Sequence, residues 1–242
     1  MITALLVVAA IIAGVIASIV GFGVGSLLTP ALALETGIKL AVAAIAVPHL
    51  VGAAIRLWSL RGHVDRKVLL RFGITSAAGG LAGALLHGWA GGALMTAVFG
   101  VLLAFSGLGE LVGWTGRIRF RGAGALAAGG LSGLLGGLVG NQGGIRSAAL
   151  LGFDLTREGF VATATAIALL VDAARLPVYL WTEGARMLEI WPTIAWITAG
   201  VVAGTFAGRR ILDRIPEKAF RRAVGAVVLL LGLYMLYRAF TL

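Results

Sequence analysis

Two glycine-rich runs hold the residue types best suited to grip a ligand. They are Gly21-Phe22-Gly23-Val24-Gly25, followed by Ser26, and Gly140-Asn141-Gln142-Gly143-Gly144, with Arg146 just beyond. Each lies inside a long apolar stretch, and glycine costs roughly 1 kcal/mol of helix propensity relative to alanine, so each run predicts a broken helix. A helix that resumes after a break presents its first free N–H groups and the positive end of its dipole. Two such starts meeting inside a bilayer would make an anion site. Gly21, Gly23, Gly25, Gly143 and Gly144 would give backbone, Ser26, Asn141 and Gln142 neutral donors, and Arg146 a charge. The rival reading is close helix packing across small residues. It suits Gly79/Gly83, Gly129/Gly133 and Gly200/Gly204/Gly208, whose spacing keeps them on one helix face. Tandem glycines with neighbouring amides fit a packing seam poorly.

Other polar residues stand within apolar stretches. Asp172 and Arg175 are three apart and can pair on one helix face, and a charge inside a span is a functional candidate. Pro177 follows Arg175, and the stretch ends near residue 181, so snorkelling to the interface is the alternative. Arg56, its counterpart earlier in the chain, lies nearer a basic loop and reads as a topology determinant. His49 follows Pro48 and is placed either facing a cavity, where it could carry a proton, or packed. Thr163 is a further candidate, although it and Thr165 can bond carbonyls of their own helix. The sequence holds no histidine–acid cluster with metal spacing, no Walker loop and no nucleophile elbow. It therefore predicts no catalytic residue, no metal, no cofactor and no enzyme.

The elements that must position these residues follow from composition. Of 242 residues, 60% are hydrophobic and 12% charged, with mean hydropathy +1.01; a soluble domain carries about twice that charged share. Apolar segments cover 2–34, 38–58, 68–89, 91–114, 122–152, 159–181, 190–208 and 219–240. Most are near or above the ~20 residues that cross a bilayer, so the fold class is an all-α polytopic membrane protein. The first and fifth are too long for one crossing. The net charge of +10 does not imply nucleic acid, because Lys and Arg occupy short loops between apolar segments. Without cysteine there is no disulfide or thiolate metal site. The first segment exceeds a signal-peptide core and lacks a basic leader, so it reads as mature structure. Trp58, Trp89, Trp114, Trp181 and Trp191 sit at segment ends, as an interfacial belt would.

The halves resemble one another. Gly21-x-Gly23-x-Gly25 and Pro30-x-Leu32 line up with Gly140-x-Gln142-Gly143-Gly144 and Ala149-x-Leu151. Val51-x-Ala53-Ala54 before Arg56-Leu57 matches Val171-x-Ala173-Ala174 before Arg175-Leu176. Ala78-Gly79 and Ala82-Gly83 match Ala199-Gly200 and Ala203-Gly204, and Gly100 and Gly107 match Gly225 and Gly232. The expected units are residues 1–116 and 117–242, each of four segments. Basic residues crowd Arg56–Arg71, Arg117–Arg121 and Arg209–Arg222. Eight simple crossings cannot put all three groups on one side. If segments one and five enter and return, the loops 59–67, 115–121 and 209–218 share the cytoplasmic side, both termini are periplasmic, and the repeats are inverted. The two breaks would then face each other.

The doubled motif Gly-x-Gly-x-Gly-x4-Pro-x-Leu at Gly21–Leu32, its second copy at Gly140–Leu151 and the seven-to-eight-span plan resemble the sulfite exporter TauE/SafE family, the TSUP permeases. The second copy departs from the family pattern with Gln142 in place of a glycine and Ala149 in place of the proline. The resemblance covers nearly the whole chain. It implies a permease of a bacterial inner (plasma) membrane for sulfite, sulfonates, sulfoacetate or related anions. Its partners are then a small anionic substrate and the lipid bilayer, not nucleic acid, and a homodimer is admitted. An intramembrane enzyme or assembly factor and an anion channel are the competing classes; poor acid–base chemistry opposes the first, and inverted broken helices favour alternating access over a fixed pore.

Overall fold

The computed structural model describes residues 2–113, 120, 122–150, 152–211 and 217–241. Trp114, the 116/117 boundary, all of the loop 115–121 but residue 120, and residues 212–216 of the loop 209–218 lie outside the described residues. The first half forms α1 (Ile2–Val20), α2 (Val24–Thr36), α3 (Ile38–Leu60), the short turn α4 (Arg66–Val68), α5 (Ile74–Trp89) and α6 (Gly92–Val112). The second forms α7 (Ala123–Val139), α8 (Gly143–Leu150), α9 (Arg157–Glu189), α10 (Trp191–Ile211) and α11 (Glu217–Thr241). No strand occurs among the described residues. Five helical stretches are long and apolar enough to cross a membrane: Ile38–His63, Arg66–Trp89, Gly92–Val112, Glu158–Glu189 and Arg222–Thr241.

Local chemistry sets the ends. The Asp65 carboxylate accepts the Val68 N–H at 2.9 Å where the third segment begins, and the Thr156 hydroxyl accepts the Gly159 N–H at 3.0 Å at the start of α9. A π-helical turn over Leu69–Gly73 joins α4 to α5. Pro177 does not end its helix, contrary to the expected stop near residue 181, because lipid-facing and packed apolar residues carry α9 on to Glu189.

Both long segments are discontinuous, with tighter breaks than the glycine runs alone suggest. The first breaks over Gly21–Gly23 and the fifth over Gly140–Gln142, so Gly25, Gly143 and Gly144 belong to the resuming helices. Gly23, at φ 127°, and Gly140, at φ 75°, adopt backbone that L side chains rarely take.

Neighbour contacts fix the helix directions. Along α1 and α10, Gly200 abuts Val7 and Ala10, Gly204 abuts Ile11, and Gly208 abuts Val15, so the two are parallel. Gly52 of α3 meets Val201 and Thr205, and Val47 shares a cavity wall with Ile194 and Thr198, so α3 is parallel to α10. Because α1 and α3 run the same way, α2 must bring the chain back. By the same logic α5 is parallel to α7 (Gly79 on Gly130, Gly83 on Leu134 and Leu138) and to α9 (Gly73 on Ile167, Gly80 on Val171, Gly88 on Thr182), so α8 returns the chain as well. In segments one and five, therefore, the helix after the break runs back against the direction of the one before it. Corresponding helices of the two halves run oppositely: Gly100 faces Gly232 while Gly107 faces Gly225 across α6 and α11, and Asp65 meets Thr163 while His49 meets Asp172 along α3 and α9. The start of α1 at Ile2 and the end of α11 at Thr241 therefore lie on the face where α3 starts, opposite the loop at Arg61–Asp65.

Small residues make the seams. A Cβ added at Gly83 would lie 2.0 Å from the Leu134 carbonyl oxygen, and one at Gly204 2.0 Å from that of Ile11, so backbones touch directly. The buried core runs through both halves, from Leu6 and Leu28 through Ile45, Phe99 and Leu103 to Ile197 and Met235. Leucines such as Leu5, Leu94, Leu180 and Leu230 are exposed on the outside, where lipid would cover them, and Trp58, Trp89, Trp181 and Trp191 project outward as well.

Candidate functional site

The two breaks meet. A Cβ on Gly25 would fall 2.5 Å from the Gly140 carbonyl oxygen, and one on Gly143 would fall 2.6 Å from the Phe22 Cβ. Ser26 Oγ lies 3.5 Å from Asn141 Oδ1, and the Ser132 hydroxyl donates to the Gln142 carbonyl at 2.9 Å. The first internal bond of α2 runs from Leu27 N–H to Gly23 and that of α8 from Arg146 N–H to Gln142. The amides of Val24, Gly25 and Ser26, and of Gly143, Gly144 and Ile145, precede those bonds and have no helical acceptor. No side chain caps α2.

Side-chain donors gather at the second break without acceptors. Asn141 Nδ2, Gln142 Nε2, and Arg146 Nε and Nη1 are buried and unpartnered, as is one acceptor, Gln142 Oε1. Asn141 is 6% exposed, Gln142 4% and Arg146 1%. A buried donor left unpaired costs about 1–3 kcal/mol, and more when charged. A cluster in which donors predominate, with no carboxylate on Arg146 among the described residues, can receive an acceptor-rich, negatively charged group.

Beside it stands a buried ion chain. His49 Nδ1 is 2.5 Å from Asp172 Oδ2, while Arg175 donates through Nε at 2.9 Å and approaches through Nη2 at 2.8 Å to Asp172 Oδ1. Arg175, 2% exposed, does not snorkel: α9 continues well past it, and Asp172 holds its guanidinium inward. Arg175 Nη1 also donates to the Gly136 carbonyl, Tyr179 OH to that of Gly137, and His87 Nδ1 to that of Leu138. Three side chains thus cap the last turn of α7; the Gly136 carbonyl also takes the Gly140 N–H at 3.0 Å, whereas those of Gly137 and Leu138 are groups that the break would leave unsatisfied in a bilayer. Arg56 is 3% exposed, which corrects its reading as a topology determinant at the interface: α3 and α10 enclose it beside Gly52 and Thr205.

The structure therefore brings together Gly21, Gly23, Gly25, Ser26, Asn141, Gln142, Gly143, Gly144 and Arg146, with His49, Asp172 and Arg175 as neighbours. Thr163 stands apart, about 13 Å along α9 from Asp172 at 1.5 Å per residue, where its Oγ1 accepts the Asp65 N–H at 2.9 Å. Sequence reasoning missed Tyr179, His87, Ser132 and Ser106, whose Oγ faces Gly144. Only Tyr179 had a signal, one turn beyond Arg175.

The family description of the sulfite exporter TauE/SafE matches residues 6–235, nearly the whole chain. No curated protein and no solved structure matches it.

Proposed function

The chain belongs to the sulfite exporter TauE/SafE family and is a multi-pass membrane transport protein; from that premise we propose that it carries a small sulfur oxyanion, sulfite or an organic sulfonate, across a bacterial inner membrane by alternating access. The head group sits between the two breaks. Its oxygens accept from the leading amides of α2 and α8, from Asn141 Nδ2 and Gln142 Nε2, and from Arg146. The observation that carries this reading is the set of buried, unpartnered donors at Asn141, Gln142 and Arg146. A sulfonate has three acceptor oxygens and a spread charge, which suits several neutral donors and one guanidinium. The opposed directions of corresponding helices support two inverted halves, an architecture in which a central site is exposed to one side at a time. The donors are occluded in this conformation, so loading requires the halves to move.

Titration of the purified protein with sulfite, ethanesulfonate and acetate tests the reading. Sulfite or ethanesulfonate should bind more tightly than acetate, and Arg146→Gln should abolish the binding. Equal binding of all three, or unchanged binding by a folded Arg146→Gln protein, would place the site elsewhere.

A further inference from the structure

The anion site leaves one polar assembly unexplained, the pair His49–Asp172. It joins α3 of the first half to α9 of the second, where the halves cross. Asp172 is fully buried, and both of its oxygens are engaged, Oδ1 by Arg175 and Oδ2 by His49 Nδ1. The imidazole Nδ1–H is thereby committed to the carboxylate. His49 Nε2 has no protein partner among the described residues, and His49 keeps 8% of its surface exposed.

The charged and titratable groups facing the pair are Arg56 from α3, Arg175 and Tyr179 from α9, and Arg146 from α8. Asp172 is paired with Arg175 and has Arg146 as a second guanidinium within electrostatic reach. A proton added at His49 increases an excess of positive charge in low dielectric, and an anion at Arg146 offsets it.

Resting on the anion reading above, we infer that His49, held by Asp172, is the proton site of this transporter, and that proton and anion load together. The proton comes from water on the open side and adds to Nε2. The Nδ1–H stays on Asp172 Oδ2, giving an imidazolium–carboxylate pair, and on the far side Nε2 returns the proton to water as the anion leaves. No other bond changes. Each ligand favours the other by linkage, so the two move in one direction. Because the pair bridges the crossing between halves, its charge also bears on the contact that has to rearrange.

The chain has three histidines, so 15N-histidine labelling gives a resolvable spectrum, with His49 assigned by its loss in His49→Gln. Ethanesulfonate is the probe, since its charge is constant across the histidine range. Adding it at fixed pH should raise the imidazolium fraction of His49. Binding should tighten as pH falls, by up to about tenfold per pH unit, and His49→Gln should bind with an affinity that no longer varies with pH. Ethanesulfonate bound while His49 stays neutral, or a His49→Gln protein that keeps the parent's pH dependence, overturns the proposal. Absence of binding at any pH overturns the anion reading and co-loading with it, so the two failures are distinct. If His49→Gln does not fold, His49 is assigned by elimination with His63→Gln and His87→Asn, and the parent's spectrum decides.

Discussion

Ser26 and Asn141, 115 residues apart in the chain, face each other at 3.5 Å between the two broken segments. The contact engages Oδ1 of Asn141 and leaves its Nδ2 unpartnered. The amide is thus oriented from the first half so that its donor stays available at the second break.

Asn141→Ala and Gln142→Ala should each weaken sulfonate binding by about tenfold or more, since a hydrogen bond to a charged group contributes roughly 1.5–3 kcal/mol. Both proteins should remain folded. Calorimetric titration of ethanesulfonate beside a thermal unfolding scan checks this; parent-like affinity in both variants contradicts it.

Arg146→Met should stabilise the anion-free protein and abolish binding. The guanidinium is buried with Nε and Nη1 unsatisfied, and an apolar side chain of similar length removes that cost. The unfolding midpoint should rise without ligand and no longer respond to ethanesulfonate. A lowered midpoint would mean that Arg146 has a structural partner.

Asp172→Asn should destabilise strongly. Removing one member of a buried ion pair costs about 3–5 kcal/mol, and here it leaves the Arg175 guanidinium with neutral neighbours, the Gly136 carbonyl and Tyr179, whose ring centroid is 5.7 Å away. Asp172→Asn combined with Arg175→Gln should recover part of the loss. A double-mutant cycle in thermal unfolding reads the loss of charge at this pair, since Asn keeps an Oδ1 acceptor for Arg175, and strict additivity would rule the coupling out.

Gly83→Ala and Gly91→Ala should diverge. The first forces a Cβ to 2.0 Å from the Leu134 carbonyl oxygen, while the second meets nothing within 4 Å. Monodispersity after extraction should collapse for Gly83→Ala and match the parent for Gly91→Ala.

Reporter fusions at Thr241 and at Gly62 should report opposite sides, with Gly62 cytoplasmic because Arg61, Arg66, Lys67 and Arg71 surround it. Equal reporting from both positions would contradict the re-entrant count.

Composition made the membrane class legible, because a 12% charged share over 242 residues leaves few other choices. The breaks in segments one and five were legible for another reason: their glycines interrupt apolar runs too long for a single helix across a bilayer. The exact breaks were less so. Gly25, Gly143 and Gly144 look like break residues but lie inside helices, where the close approach of the Gly140 carbonyl, of Phe22 and of Ser106 respectively leaves no room for a Cβ. The burial of Arg56 and Arg175 was hidden because snorkelling depends on where a helix ends, and Pro177 gives a false stop. The caps on Gly136, Gly137 and Leu138 come from α5 and α9, and no local pattern in α7 announces them.

The α1–α10 seam constrains the order of assembly. Ser18 donates to the Thr205 carbonyl 187 residues later in the chain, and Gly200, Gly204 and Gly208 of α10 lie directly against α1. During synthesis α1 therefore enters the bilayer long before its partner is translated, and it holds its glycine-facing surface against lipid or the insertion machinery until α10 arrives. The α5–α7 seam closes much earlier. The caps that Arg175 and Tyr179 place on α7 can then form once α9 has emerged, before α10 closes on α1.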